Sequence, residues 1–272
     1  MSTPIITTTT KTKPTLVLLG GSWHNPQNYR KLASALTNQS YDIQIPSFPS
    51  MNGDRPPTAD LYTDIEFVKS YVGDFVDQGQ HVIVLMHSYG GQVGTDALGE
   101  LGVDARKAKG LPGGVVHLMY ITAFMPMEGE MMMDKVRLFG HEGLIPIVFS
   151  VADDGTHVHA DPKKLLVGST PGDQVEEGDI EEYVATLSRW NGNAMYQKLK
   201  EREAWRDIEI SYVLTLKDMT VFPDYQTSMV DAVKKEGKEF KVYELETGHS
   251  PNLTRTDELV KIILEVAEKY QA

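Results

Sequence analysis

A short apolar segment that runs into a serine and two glycines constrains the fold of this chain more than any other feature. Residues 82–86 are five apolar residues in succession, which favours a fully buried β-strand because the run is too short for a buried helix. Ser88 follows, then Gly90 and Gly91, and a helical pattern of apolar residues extends over 92–102. A strand that turns into a helix at a serine is typical of a nucleophile elbow, whose sharp turn holds the hydroxyl clear of the sheet.

One position of this motif departs from the usual pattern. In the five-residue pattern Gly-x-Ser-x-Gly, Met86 stands where the first glycine is expected. Small residues allow the strand and the helix to pack closely, so a methionine requires space that other core residues must leave. Five-residue patterns also occur by chance, so other features of the chain are needed to distinguish an elbow from an ordinary strand–turn–helix.

The composition limits the class of protein. With 272 residues, 41% of them hydrophobic and 24% charged, the chain has the composition of a globular protein with a sizeable core. A net charge of −12 disfavours a nucleic-acid partner. The absence of cysteine excludes disulfides, thiolate catalysis and cysteine metal sites. No apolar stretch reaches the roughly 18 residues of a membrane span, and the first residues do not resemble a signal peptide, so we predict no membrane partner and a cytoplasmic location.

Apolar segments and helical patterns alternate along most of the chain. Strands are predicted at 15–19, 41–46, 82–86, 115–124, 210–216 and 240–245, and helices at 25–39, 60–77, 92–102, 223–237 and 256–270. This order predicts an α/β fold with a mostly parallel sheet and helices on both of its faces. The alternation stops after Pro126 and resumes near 208, so we expect a flexible arm at 1–13, a core of 14–126 with 208–272, and an insertion at 127–207. Within the insertion, helices are predicted near 177–190 and 194–206.

Polar residues follow three of the predicted strands. Ser88 follows the third strand, Asp218 the fifth and His249 the sixth. In open parallel sheets, ligands bind beyond the carboxyl ends of the strands, so these side chains are expected at one edge. The chain order serine, acid, histidine is that of the α/β-hydrolase triad.

Four segments of the chain resemble the α/β-hydrolase superfamily, in particular the branch of small esterases, plant methylesterases and hydroxynitrile lyases. The matching segments read LVLLGGSWHNPQNY, VLMHSYGG, YVLTLKD followed by PDYQ, and TGHSPNL. The resemblance extends from about residue 15 to about residue 270, and residues 127–207 fall where that fold carries its cap. It implies an α/β-hydrolase fold with a helical cap.

The chemistry of such a triad assigns a role to each residue. A serine hydroxyl is a weak nucleophile until a base removes its proton, so Ser88 is the expected nucleophile and His249 its base. Asp218 would orient the imidazole and stabilise its cation. The backbone N–H groups of Tyr89 and Ser22 are the expected oxyanion donors, and removal of one such donor typically costs about 3–4 kcal/mol in the transition state.

Other residues compete for some of these roles. Asp224 lies behind Pro223 in the first turn of a predicted helix, where the helix dipole alone favours an acid. Glu128 follows the fourth strand, where some members of the family carry their acid. His87 is expected to be structural, because its side chain points away from that of Ser88 on an extended strand.

Two features bear on ligands. His157 and His159 resemble a metal-binding pair, but no third ligand lies nearby, so we predict neither a metal nor any other cofactor. Five methionines occur within nine residues at the start of the insertion, where they suit either an adaptable apolar pocket or simple core packing. The residues expected to contact substrate are Gly21, Trp23, His24, Phe124, Met125, Met127 and Trp190.

The sequence therefore predicts an enzyme that hydrolyses a carboxylic ester or lactone of a small to medium, largely apolar substrate. A non-hydrolytic enzyme on the same scaffold, such as a lyase or a C–C bond cleaving or cyclising enzyme, is the alternative, followed by a receptor-like binding protein. The partner is a small molecule, and the protein is expected to be a monomer or a homodimer.

Overall fold

The computed structural model describes residues 12–271, so almost all of the arm predicted at 1–13 lies outside the described residues. A six-stranded parallel sheet forms the centre, with the order β2-β1-β3-β4-β8-β9. The strands among the described residues are β1 Thr15–Leu19, β2 Ile43–Gln44, β3 His81–His87, β4 Gly114–Ile121, β5 Phe149–Val151, β6 Thr156–His159, β7 Trp190–Asn191, β8 Ile210–Thr215 and β9 Lys241–Leu245. The predicted parallel sheet is confirmed.

In the described range 12–271, ten α-helices flank this sheet or lie in the segment between β4 and β8. They are α1 Arg30–Asn38, α2 Leu61–Asp77, α3 Tyr89–Ala97, α4 Val103–Ala108, α5 Met132–Leu138, α6 Ile145–Val148, α7 Glu177–Ala185, α8 Pro223–Lys235, α9 Pro251–Thr254 and α10 Thr256–Ala267. Short 3₁₀ helices, among them Pro26–Tyr29 and Pro49–Met51, join several of these elements. Within residues 12–271, no helix combines the length and apolar character needed to cross a membrane.

The central strands are buried on both faces, which explains their unbroken apolar sequence. Side chains alternate along a strand, so Val17 and Leu19 of β1 enter one apolar cluster while Leu16 and Leu18 enter the cluster on the opposite face. Both clusters are covered by helices, with α2, α3 and α8 over the first and α1 and α10 over the second. The sheet is thereby fixed from both sides, and the loops at its carboxyl edge project from a rigid base.

Helix α2 shows how local sequence sets an element. Asp60 caps its first turn and accepts hydrogen bonds from the backbone N–H groups of Tyr62 and Thr63. Its apolar face then follows helical spacing, with Ile65, Val68, Val72 and Val76 buried against the sheet. The prediction of a helix that begins after Asp60 and ends near residue 77 is confirmed.

Helix α3 accommodates the methionine that replaces the usual glycine of the elbow. A Cβ atom added to Gly94 would overlap the sulfur of Met86 and would lie 3.3 Å from Leu19 Cδ1. The space for the Met86 side chain is therefore provided by the missing side chain of Gly94, in the second turn of the helix that follows the elbow.

Residues 127–207, here called the insert, contain α5, α6 and α7 together with an antiparallel sheet of β5, β6 and β7. The predicted helix at 177–190 ends at Ala185, and 194–206 contains only the end of the 3₁₀ helix Gly192–Tyr196 and the 3₁₀ helix Ala204–Arg206, so both predictions were wrong in extent. The physical reason lies in β7, whose Trp190 pairs with His157 of β6. The Asn191 side chain then donates to the Ala59 carbonyl and accepts from Asn193 N, which caps the 3₁₀ helix Gly192–Tyr196 and separates it from α7.

Candidate active site

Ser88 occupies a strained turn between β3 and α3. Its φ of 54° and ψ of −119° are uncommon for a residue with a side chain. The turn is closed by glycines, since a Cβ at Gly90 would overlap the Leu19 carbonyl oxygen and one at Gly91 would overlap that of Phe124. This is the geometry that the sequence predicted for an elbow, and the serine side chain lies at the carboxyl edge of the sheet.

Backbone strain is concentrated around this serine. Among residues 12–271, four residues other than glycine have positive φ, and three of them are Trp23, Ser88 and Thr122, with φ of 67°, 54° and 42°. These three follow the carboxyl ends of β1, β3 and β4, which are neighbours in the sheet. Such conformations persist only where the surrounding structure over-determines them, and they cluster at functional sites.

Asp218 and His249 meet beyond the ends of β8 and β9. The Oδ2 atom of Asp218 lies 2.7 Å from Nδ1 of His249, and both side chains are fully buried. A carboxylate accepts hydrogen bonds, so Nδ1 of His249 carries a proton and Nε2 is left to accept one. Nε2 is buried and bonds no group in the described part of the chain.

Further donors fix the Asp218 carboxylate in place. Oδ1 accepts from the N–H groups of Thr220 and Val221 at 2.7 and 2.9 Å. Oδ2 also accepts from the hydroxyls of Thr122 and Thr215, the latter at 3.1 Å. The carboxylate is therefore held by the ends of two strands and by the turn that follows it.

The two competing acids lie elsewhere. Asp224 is exposed in the first turn of α8, as its dipole position predicts. Glu128 is exposed at the start of the insert, where its N–H donates to Glu203. Among the residues that the structure describes, Asp218 is the carboxylate that contacts His249.

His87 ties three segments of the site together. Gly21 N–H donates to the Tyr29 hydroxyl, and this hydroxyl lies 2.8 Å from Nδ1 of His87. The opposite nitrogen, Nε2, lies 2.8 Å from the carbonyl oxygen of His249 and must donate to it. Tyr29 then donates to Nδ1, which fixes the neutral tautomer of His87. Burial lowers the pKa of His87 well below its usual value, in agreement with this assignment.

The predicted oxyanion donors flank Ser88. Tyr89 N is the first amide of α3 and has no partner within the helix. The loop after β1 lies close by, because a Cβ at Gly21 would be 2.9 Å from Cβ of Ser88. Ser22 lies in this loop and lines the same cavity as Ser88. In the described part of the chain, the N–H groups of Tyr89 and Ser22 have no hydrogen-bond acceptor.

A comparison with known families supports the resemblance of the sequence motifs. The sequence profile of the alpha/beta hydrolase family matches residues 16–262, which is most of the chain. The chain belongs to the alpha/beta hydrolase family. The predicted fold class is therefore confirmed.

This α/β hydrolase has relatives of similar length among known proteins. It is 29% identical over 258 residues to a probable hydrolase of Phoma sp., covering 94% of this chain and 99% of that protein. It is 25% identical over 269 residues to an alpha/beta hydrolase of Aspergillus novofumigatus, covering 94% and 97% of the two chains.

Solved structures share the fold at lower identity. A methylesterase from Arabidopsis superposes with a TM-score of 0.72 at 16% identity, covering 94% of this chain and 99% of that chain. A pyrethroid hydrolase from Sphingobium faniae superposes with a TM-score of 0.70 at 17% identity, covering 94% of this chain and 98% of that chain. A methylketone synthase from tomato superposes with a TM-score of 0.71 at 12% identity, covering 96% of this chain and 100% of that chain.

An apolar cavity adjoins Ser88 in this α/β hydrolase. Its walls come from the loops after β1 and β4, from the insert and from the turn before α8. The lining residues are Ser22, Trp23, Ser88, Phe124, Met132, Val136, His141, Leu144, Ile145, Val148, Phe149, Trp190, Met195, Met219, Thr220, Val221, Phe222 and Tyr225. Most of these side chains are apolar, and the polar ones are few.

The predicted substrate contacts divide into two groups. Trp23, Phe124 and Trp190 line the cavity. Gly21, His24, Met125 and Met127 lie outside its walls. Met125 is buried in the core beside Met229, whose sulfur lies 3.2 Å from the Met125 amide, so core packing accounts for this methionine.

His24 is buried, connects neighbouring segments by hydrogen bonds and does not line the cavity. Its Nδ1 lies 2.7 Å from the Ser22 carbonyl oxygen, and its Nε2 bonds the hydroxyl of Tyr183 in α7. That hydroxyl in turn lies 2.7 Å from Oγ of Ser250, next to His249. Burial and the nearby His249 lower the pKa of His24 to about 3. His24 thereby joins the loop after β1 to the insert and to the loop after β9.

Two threonines at the site were missed from the sequence. Thr122 follows β4 and Thr215 ends β8, and both hydroxyls bond Asp218. Both are polar residues at the carboxyl end of a strand, which is the feature that identified Ser88 and Asp218 as candidates. Threonine is common in strands, however, so residue type alone did not mark them.

The histidine pair of β6 packs among aromatic rings. His157 stacks on Phe149 with ring centroids 5.6 Å apart, and His159 lies edge-on to Trp23 at 5.1 Å. Burial lowers the pKa of both imidazoles, that of His159 to about 4.

Proposed function

We propose that this α/β hydrolase cleaves a carboxylic ester or lactone by acyl transfer to Ser88. The observation that carries the proposal is the buried contact of 2.7 Å between Asp218 and Nδ1 of His249, with Nε2 unpaired within residues 12–271 at the edge of the sheet that presents Ser88. A serine in a strained turn and a histidine whose tautomer is fixed by a carboxylate, both at the carboxyl edge of one sheet, are the groups that activate a hydroxyl.

The reaction follows from this arrangement. Nε2 of His249 takes the proton of Ser88 as Oγ attacks the carbonyl carbon of the substrate. The N–H groups of Tyr89 and Ser22 stabilise the oxyanion of the tetrahedral intermediate. His249 then gives its proton to the leaving alkoxide, and an acyl-enzyme remains. A water molecule activated by His249 releases the acid and restores Ser88, without a cofactor.

The substrate is proposed to be largely apolar and uncharged. Trp23, Phe124 and Trp190 form an aromatic wall near Ser88, while Met132 and Val136 of α5 line the cavity from the insert. Each buried methylene of the substrate would contribute roughly 0.8 kcal/mol of transfer free energy, and a charged group would find no counter-ion among these five side chains. Two structural neighbours are named as esterases, which supports an ester as the group that is cleaved. We further propose that the insert acts as the cap of this site.

The test uses an activated aryl ester such as 4-nitrophenyl butyrate. Ser88→Ala should remove turnover without altering the melting temperature by more than a few degrees, and Ser34→Ala, an exposed serine of α1, serves as the matched control. A fluorophosphonate should label the wild type once, at Ser88. Normal turnover by purified Ser88→Ala protein would refute the proposal.

A further inference from the structure

A second buried carboxylate lies beneath the elbow, away from His249. Asp64, in the first turn of α2, has no exposed surface. Its Oδ1 accepts from Ser50 N at 2.9 Å, and its Oδ2 accepts from Ser50 Oγ at 2.5 Å and from the Tyr89 hydroxyl at 2.8 Å. Three donors converge on one carboxylate that the reaction described above does not use.

No cation neutralises this carboxylate within residues 12–271. The titratable groups that face it are Asp60 on its own helix and Tyr89 on α3, and the donor on the third side is Ser50 of the 3₁₀ helix Pro49–Met51. Burial raises the pKa of Asp64 to about 6, while the three hydrogen bonds oppose this rise. Asp64 is therefore mostly ionised at neutral pH and becomes protonated in mildly acidic solution.

The Tyr89 side chain connects this carboxylate to the proposed oxyanion hole. Its ring packs against Phe48 at 5.6 Å and against Trp190 at 5.0 Å between centroids. Its hydroxyl reaches Asp64, and its backbone N–H is the first amide after Ser88. The side chain of Tyr89 is thus held at its far end, while its amide borders a turn with strained backbone angles.

We propose that Asp64 is a positioning residue that holds Tyr89, and through it the oxyanion-donating amide, in the productive orientation. This inference rests on the proposed acyl-transfer function. A strained turn relaxes unless its neighbours hold it, and the hydrogen bond from Tyr89 to Asp64, which does not line the cavity, supplies such a restraint. Trp190 lines the cavity and packs on the same ring, so the restraint also joins the elbow to the insert.

The expected kinetic effect is specific. An oxyanion contact forms only in the transition state, so a misplaced amide lowers kcat and leaves KM nearly unchanged. Tyr89→Phe keeps the ring and its contacts with Phe48 and Trp190, and removes only the hydroxyl. We expect Tyr89→Phe and Asp64→Asn each to lower kcat roughly tenfold to hundredfold, less than the complete loss of a donor. The double variant should resemble either single variant, because both break the same link.

A dependence on pH separates positioning by the ionised carboxylate from simple packing. As pH falls through about 6, Asp64 in the wild type takes up a proton and comes to resemble the neutral Asn variant. The ratio of kcat between wild type and Asp64→Asn should therefore decrease as pH falls from 7.5 to 5. Contributions from the other ionisable groups are common to both proteins and cancel in this ratio.

The experiment measures kcat and KM for 4-nitrophenyl butyrate, and the rate of fluorophosphonate labelling of Ser88, in the wild type and the three variants. Tyr120→Phe is the matched control, because it removes another fully buried tyrosine hydroxyl, bonded to Thr95 of α3 at 2.8 Å. Tyr120→Phe should keep kcat within about twofold of the wild-type value. If Asp64→Asn does not fold, Tyr89→Phe and Ser50→Ala test the same link.

Two results would overturn the inference while leaving the proposed function intact. One is wild-type kcat and labelling rate in Tyr89→Phe and Asp64→Asn, with Ser88 still labelled. The other is a ratio of kcat that does not change with pH, which would assign Asp64 a packing role alone. Failure of the proposed function looks different, because the wild type would then not be labelled at Ser88 and Ser88→Ala would turn over normally.

Discussion

The carboxyl edge of the sheet and the insert above it satisfy their polar groups very differently. At the edge, the Asp218 carboxylate accepts bonds from Thr122, Thr215, Thr220 and Val221 as well as from His249, and both nitrogens of His87 are bonded. In the insert, the indole N–H of Trp190 and both ring nitrogens of His159 are buried without a hydrogen-bond partner among residues 12–271.

This difference matches the two tasks of an enzyme site. Proton transfer requires groups fixed to within a fraction of an ångström, and dense hydrogen bonding provides that precision. Recognition of an apolar molecule requires shape and adaptable contacts, which methionine and aromatic side chains provide. Changes at the edge should therefore alter kcat, and changes in the insert should alter substrate preference.

The largest expected effect comes from the acid at the edge. Asp218→Asn should preserve folding but lower kcat by roughly 10³–10⁴, because the amide favours the wrong tautomer of His249. Asp224→Asn is the matched control, and it should lose only about 0.3–1 kcal/mol of stability with little change in activity. Steady-state kinetics and thermal unfolding of both variants measure these effects. An inactive Asp224→Asn protein beside an active Asp218→Asn protein would reverse the assignment, and normal turnover by both would redirect the search to Glu128.

An intermediate effect is expected from the insert. Met132→Ala should enlarge the cavity and raise kcat/KM for longer acyl chains relative to short ones, at a cost of about 2–5 kcal/mol in the free energy of unfolding. Met133→Ala is the control, since Met133 is buried in the same helix but does not line the cavity. A series of 4-nitrophenyl esters from acetate to decanoate measures the preference. Equal shifts in both variants would show that loosening of the helix, and not cavity shape, controls selectivity.

The smallest expected effect concerns Thr122, whose hydroxyl donates to Asp218. Thr122→Val keeps the branched side chain, and therefore the strain at φ 42°, while it removes the hydroxyl. We expect a loss of about 1–2 kcal/mol in unfolding free energy and a fall in kcat of roughly tenfold. Urea unfolding and steady-state kinetics give both values. An unchanged kcat would mean that the remaining donors to Asp218 are sufficient.

The sequence predicted the edge of the sheet better than the insert, for a physical reason. β3 and α2 have strong apolar patterns, and the positions of Ser88, Asp218 and His249 after strand ends predicted that these side chains lie at one edge of the sheet. In the insert, β7 is only two residues long and depends on pairing with β6. No local sequence pattern indicates this pairing. The local helical pattern therefore favoured a helix that extends to Trp190, and the pairing of β7 with β6 prevented this helix.

The same limit applies to individual side chains of the site. The role of Thr122 depends on a contact with Asp218, 96 residues away in the chain. The role of Asp64 depends on Tyr89 and on a short 3₁₀ helix, and its helical position alone indicates only a favourable first-turn acid. Contacts of this kind become visible only once the strands and helices are assembled.

The central claim is that Ser88 forms a covalent acyl intermediate, and rapid acid quench followed by mass spectrometry tests it most directly. The wild type mixed with excess 4-nitrophenyl butyrate for milliseconds should release a burst of nitrophenolate and gain the mass of one butyryl group. Peptide mapping should place that group on the peptide containing Ser88, and Ser88→Ala should gain no mass. Turnover with no acyl adduct, or an adduct on another residue, would contradict the account and favour a reaction in which the serine and histidine act only as acid–base groups.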